Sequence, residues 1–172
     1  MGCAEVPLEA VFARHVNDEP LHYRVFVDPS FPPNIVPIIQ EAVDDWQASL
    51  HSLAEFKVAV EHFDCAVDCS EGERVICIHM VQHGETRNGE AGDTSYHGQP
   101  ERSLVRISTD NFATDVANWR ECTRITTTHE LGHAMGLRHD RAGTLMALEG
   151  TYVAKHITET DVRQFLQVHG IK

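Results

Sequence analysis

His129, Glu130, His133, Gly136 and His139 fall in one run, HELGHAMGLRH, and their types and spacing suit the binding of a metal ion. On a helix, His129 and His133 are offset by only ~40° and ~6 Å, so both imidazoles can reach one ion from one side. Zn²⁺ fits such a donor set, because it takes imidazole nitrogen and is satisfied by four tetrahedral positions; three histidines would leave the fourth to water. His139 lies six residues beyond His133, which on an unbroken helix would turn its ring through ~600° and carry it ~9 Å away. The helix must therefore stop between them, and Gly136 stands where a left-handed residue can end it and send His139 back. Glu130 is ~100° around the helix from His129, beside the ion rather than facing it. That position suits a general base for an ion-bound water. In a chain with 12 His and 11 Gly, chance placement yields HExxH about 7% of the time but HExxHxxGxxH only about 0.03% of the time. The long form therefore carries the reading.

Helical spacing runs from about Trp119 to Leu137 and would carry the first two histidines. Upstream, Leu21 to Asp28 alternates as a strand, Phe31-Pro32-Pro33-Asn34 breaks it, and Ile35, Ile38, Ile39, Ala42, Val43, Trp46 and Leu50 recur at helical spacing. Pro37 is compatible with that helix's first turn, where its missing N–H has no intrahelical acceptor. Strands are expected at Phe56 to Glu61, Arg74 to Met80 and Ser103 to Ser108. A short edge strand is expected at Gly92 to Tyr96 within the polar stretch 83 to 100. A last helix starts near Thr158, where Thr158 and Asp161 form a capping-box-like pair and Val162, Phe165, Leu166 and His169 make one stripe before Gly170. This order predicts an α/β or α+β fold, a mixed sheet with helices packed on it.

The 172 residues, 42% hydrophobic and 23% charged, are enough for one core. We read 1–19 as an N-terminal extension and 20–172 as one domain. A net charge of −12 argues against nucleic acid or an anionic membrane as partner. No run approaches the roughly 18 apolar residues of a membrane span. There is no apolar leader core near the start, so an exported protein would have had its signal removed or replaced. Of five cysteines, Cys65, Cys69, Cys77 and Cys122 allow two bridges or four thiols, and both arrangements stay open. Cys3 reads as a surface cysteine, with a lipid anchor as the alternative.

HELGHAMGLRH resembles the zinc signature of the metzincin metallopeptidases, and Gly143-Thr144-Leu145-Met146 is similar to their Met-turn. Over most of residues 20 to 170 the element order resembles a matrixin-type catalytic domain. The resemblance implies a twisted mixed sheet of about five strands, a long backing helix, an active-site helix and a C-terminal helix, with upper part 20–136 and lower part 137–172. It implies a zinc-dependent endopeptidase acting on protein or peptide; separately, a monomer that is secreted or exported is expected. His129, His133 and His139 would be the ligands, Glu130 the base, and Met146 an apolar floor beneath the ion. Asp140 follows the third histidine where matrixins commonly have Ser and adamalysin-like enzymes Asp, which leaves the subfamily open. Met146-Ala147-Leu148 lacks the tyrosine that astacin-like and serralysin-like enzymes carry two residues after the methionine, so three protein ligands are expected. Tyr152 would line the specificity pocket or be structural. Matrixins also hold structural zinc and calcium in the loop equivalent to 83–100, where His83, Asp93 and His97 are the available donors. Their spacing does not reproduce the family's, and a second ion is not expected. Cys3 as a thiolate blocking the metal is a remote alternative. Two rival functions use the same residues: a zinc-stabilised binding module without turnover, and an amidase acting on a non-protein amide.

Overall fold

The computed structural model describes residues 8–9, 19–65, 73–87, 90–96, 101–112, 117–148 and 154–172. Cys3, Cys69, His97, Tyr152 and nearly all of the expected extension 1–19 lie outside them. The elements run β1 (Leu21–Val27), α1 (Val36–Leu50), β2 (Ala54–Val60), β3 (Arg74–Val81), β4 (Gly92–Tyr96), β5 (Arg102–Ser108), α2 (Trp119–Ala134) and α3 (Glu159–Val168). The five strands form one mixed sheet in the order β2-β1-β3-β5-β4, parallel throughout except that β4 runs antiparallel to β5 at the edge. The expected fold class and strand number are those observed.

The larger core lies between the sheet and the helices. Tyr23, Val25 and Val27 of β1, Ile76 and Ile78 of β3, and Val105 and Ile107 of β5 meet Ile38, Ile39, Ala42, Val43, Trp46 and Leu50 of α1. Burying each large side chain of that stripe contributes about 1.5–3 kcal/mol, which holds α1 to the sheet. Trp46 then joins the two helices, its indole N–H donating to the Thr128 carbonyl of α2 at 2.8 Å. Across the sheet, Phe26, Cys65, Val75 and Cys77 form a smaller cluster in which Phe26 stacks on Phe63 at 3.8 Å.

Cys65 and Cys77 are joined by a disulfide, so neither the two-bridge nor the all-thiol arrangement is seen among the described residues. Cys122 is exposed and carries a free thiol. β2 begins two residues earlier than the alternation suggested. A 3-10 turn at His51–Leu53 leads straight into it, and the Gln47 amide of α1 satisfies the Ala54 carbonyl and the Phe56 N–H.

Candidate metal centre and catalytic residues

α2 carries the signature through a stretch, Thr126-Thr127-Thr128, whose residue type is a poor helix former. Here the hydroxyls of Thr127 and Thr128 are satisfied within the helix, donating to the carbonyls of Thr123 and Arg124 at 2.8 Å, while that of Thr126 reaches Asn111 Oδ1 at 3.3 Å. Ion pairs from Arg120 to Glu41 and from Arg124 to Asp45 add to the hold of α1 on α2.

The helix stops as the glycine requires. Gly136 has φ +94°, its N–H meets the His133 carbonyl at 2.8 Å, and the Leu137 N–H reaches back to the Gly132 carbonyl at 3.0 Å. These two bonds make a Schellman ending, in which a side chain at Gly136 would be strained by the positive φ. The chain reverses there and brings His139 to His129 and His133, so that one ligand atom from each lies within 4.8 Å of the others.

Two of the imidazoles are oriented from behind. The Nδ1–H of His129 donates to the Leu145 carbonyl and that of His133 to the Leu137 carbonyl, each at 2.8 Å, which leaves Nε2 as the ligand atom of each ring. Nε2 of His133 lies 3.1 Å from Nε2 of His139. Two nitrogens on one tetrahedral zinc, each about 2.0–2.1 Å from it, are about 3.3 Å apart, so the donor set fits that ion in type and this pair fits it in spacing. Burial above all, with the neighbouring His129 imidazole, pushes the His133 pKa down to about 4 against the opposing bond to Leu137. A neutral imidazole is the form that binds a metal.

Glu130 is 6% exposed and sits beneath β4. Thr94 donates to its Oε2 at 2.8 Å. On the lower side, Met146 is fully buried against Gly132; a Cβ there would lie 2.4 Å from the Met146 sulfur, so the helix meets the methionine with no space to spare. The turn bearing Met146 is held by Asp161. Its carboxylate, itself fully buried, accepts from the backbone N–H groups of Leu145 and Met146 at 3.1 Å each and from Thr158 at 2.8 Å (N–H) and 2.6 Å (hydroxyl). The reciprocal bond from the Asp161 N–H completes a capping box at α3.

A cleft of about 420 Å³ opens in front of the histidines and Glu130, bounded by Gly92, Thr94 and Tyr96 of β4, Ile125 and Thr126 of α2, and Ala147 and Leu148 after the turn. The Tyr96 hydroxyl donates to the His133 carbonyl. Arg87 and Glu90 also line it.

Of the donors considered for a second ion, His97 lies outside the described residues, and Asp93 and His83 are each engaged elsewhere. Asp93 is engaged by Arg106 through both oxygens, at 2.7 and 2.5 Å, and accepts the Arg87 N–H at 2.6 Å. His83 pairs with Asp110 at 2.7 Å. Among the described residues the three histidines of the signature are the one cluster arranged to hold a metal.

Sequence reasoning read Asp161 only as a helix cap and missed its grip on the Met146 turn, and it did not single out Thr94 or Gly132. The capping-box spacing marked Asp161 as structural, but nothing local says which distant backbone it will hold.

No protein-family profile and no curated protein matches the chain in sequence. Solved structures do match in shape. Archaemetzincin from Methanopyrus kandleri superimposes with a TM-score of 0.60 at 13% identity, over 90% of this chain and 98% of that one. Metalloproteinase-II from Bacteroides fragilis does so with a TM-score of 0.54 at 14% identity, over 88% of this chain and 53% of that one, so the present chain spans about half its length. The chain thus shares its mixed α/β fold with these two solved structures.

Proposed function

We propose that the chain is a zinc-dependent endopeptidase, with His129, His133 and His139 as ligands and Glu130 as general base and acid. One observation carries the reading: three imidazoles converge within 4.8 Å at the floor of a cleft, with a shielded carboxylate beside them. Bound there, zinc would supply Lewis-acid polarisation of a carbonyl and an acidified water.

The chain's own residues account for the rest. Leu145 and Leu137 fix the tautomer and direction of two ligands through their carbonyls. Glu130 takes a proton from the attacking water onto a carboxylate oxygen, holds it, and gives it to the leaving amine. β4 is an edge strand, so its outer N–H and C=O groups are available to an extended peptide lying beside the cleft. Ile125, Ala147 and Leu148 offer an apolar wall to a substrate side chain. Tyr152 belongs to the same reading as a pocket residue, and the chain acts as a monomer. The Cys65–Cys77 disulfide supports a secreted or exported protein, since such bonds persist in oxidising compartments.

The test is digestion of a mixed peptide library with product mapping, by the zinc-loaded protein and by two variants. Glu130→Ala is expected to bind zinc near stoichiometrically and lose turnover, whereas His133→Ala loses both, and chelation abolishes cleavage. Cleavage that survives thorough chelation, or a Glu130→Ala variant as fast as the parent, refutes the reading.

A further inference from the structure

Thr94 sits at the centre of β4, on the same strand face as Gly92 and Tyr96, and all three meet α2. A Cβ at Gly92 would lie 3.0 Å from the Glu130 Cγ, so the strand backbone presses directly on the Glu130 side chain. Tyr96 donates to the His133 carbonyl. Between them the Thr94 hydroxyl is 2.8 Å from Oε2 of Glu130 and 3.1 Å from the carbonyl oxygen of the same residue. One half-buried hydroxyl on a different element thus contacts both the side chain and the backbone of the candidate base.

A glutamate reaches its target through three side-chain torsions, and a base works only when its oxygen is within about 2.6–3.2 Å of the proton it takes. Contact with Gly92 restricts the methylenes but leaves the terminal torsion, which is broad and soft. Something must hold the carboxylate plane. Resting on the function proposed above, we infer that Thr94 is a positioning residue for Glu130: its hydroxyl anchors Oε2 and so turns Oε1 to the attacking water. The anchor survives the proton transfer. With a proton on Oε1, Oε2 becomes the carbonyl oxygen of the acid and still accepts from Thr94, so the proton is returned from the position where it was taken. Thr94 lies 36 residues before Glu130 and outside the signature, and no motif announces it.

Two substitutions separate positioning from packing. Thr94→Val removes the hydroxyl while keeping the shape and the β-branching that a strand favours; Thr94→Ser keeps the hydroxyl and removes a methyl. Thr94→Val is expected to lower kcat about 10- to 100-fold, as for losing a hydrogen bond to a charged group, with KM and zinc stoichiometry unchanged. Thr94→Ser should stay within about threefold of the parent. A readout independent of turnover is ¹³C relaxation of the Glu130 side chain in zinc-free protein: one conformation in the parent and in Thr94→Ser, averaging in Thr94→Val. A Thr94→Val protein with parental kcat and an ordered Glu130, or a Thr94→Ser protein as slow as Thr94→Val, overturns the inference. Should the parent cleave nothing, the proposed function fails by itself, while the relaxation measurement still decides whether Thr94 holds the carboxylate.

Discussion

Asp161→Asn tests whether the far end of the chain sets the geometry of the metal centre. Asp161 is fully buried and accepts four hydrogen bonds, one at Oδ1 from Met146 and three at Oδ2 from Leu145 and Thr158. An asparagine oxygen at the Oδ2 position would keep those three. Its NH₂ would then point at the Met146 N–H, donor against donor, in a place water does not reach. Leaving that buried N–H without an acceptor costs about 1–3 kcal/mol. The three retained bonds lose their charge assistance, about 0.5–1 kcal/mol each. Burying an amide instead of a carboxylate gives part of this back, which leaves a net loss of about 2–4 kcal/mol. The effect should also travel to zinc. The Leu145 carbonyl orients His129, and partners of that kind are worth about 10- to 100-fold in metal affinity. Urea unfolding of zinc-free protein and competition titration of zinc read the two effects separately. A variant within about 0.5 kcal/mol of the parent in stability, and within about twofold in zinc affinity, would show that Asp161 does not brace the turn.

Gly132→Ala should destabilise and weaken zinc together. The added methyl meets the Met146 sulfur at 2.4 Å with Trp46 at 3.2 Å on the other side, and both side chains are fully buried; overpacking of about 1–3 kcal/mol is expected, and an unchanged thermal midpoint would contradict it. Stability should also depend on pH through His169, which bonds Met135 at the end of α2. Burial most of all, with the Arg74 charge, holds its pKa below the ordinary value, against the Met135 hydrogen bond. The unfolded chain therefore takes up the proton first, so this stability is complete above about pH 6.5 and is lost as pH falls below it toward the folded value. Zinc-free His133, held at about 4, acts in the same direction. The urea midpoint of zinc-free protein should fall from about pH 7.5 to about pH 5.5, less steeply in His169→Gln, which can still donate to Met135; equal slopes would remove His169 from the account.

What could be read from the sequence was what short-range geometry decides. The helical period sets His129 and His133 on one face, and a glycine at 136 is what a chain needs to turn His139 back; both depend on residues within a dozen positions of one another. The edge strand at Gly92–Tyr96 was visible for the same reason, although it lies in a polar stretch. Contacts between remote segments were not visible. Asp93 came into view only as an available donor in the loop where matrixins hold structural ions, and it is the pairing of β4 with β5 that puts it on Arg106. Cys65 could have met any of several partners until β3 placed Cys77 beside it. A threonine in an alternating strand carries no sign that its hydroxyl will reach Glu130, since that depends on how β4 crosses α2.

These remote contacts share a direction. The far nitrogens of His129 and His133 are held by the carbonyls of Leu145 and Leu137, both in the chain after the glycine bend. That segment is secured in turn by α3: Asp161 holds the turn at Leu145 and Met146, and the Gln164 side chain accepts the Arg138 N–H. His169, at the other end of α3, shares its Nε2 between the Tyr23 hydroxyl of β1 and the Met135 carbonyl, and so joins that end to the sheet and to the end of α2. The helix that carries the first two proposed ligands therefore does not define their orientation alone. A backbone carbonyl orients an imidazole only as firmly as its own segment is fixed, so the C-terminal helix, which contributes none of the proposed ligands, governs how well the three imidazoles converge.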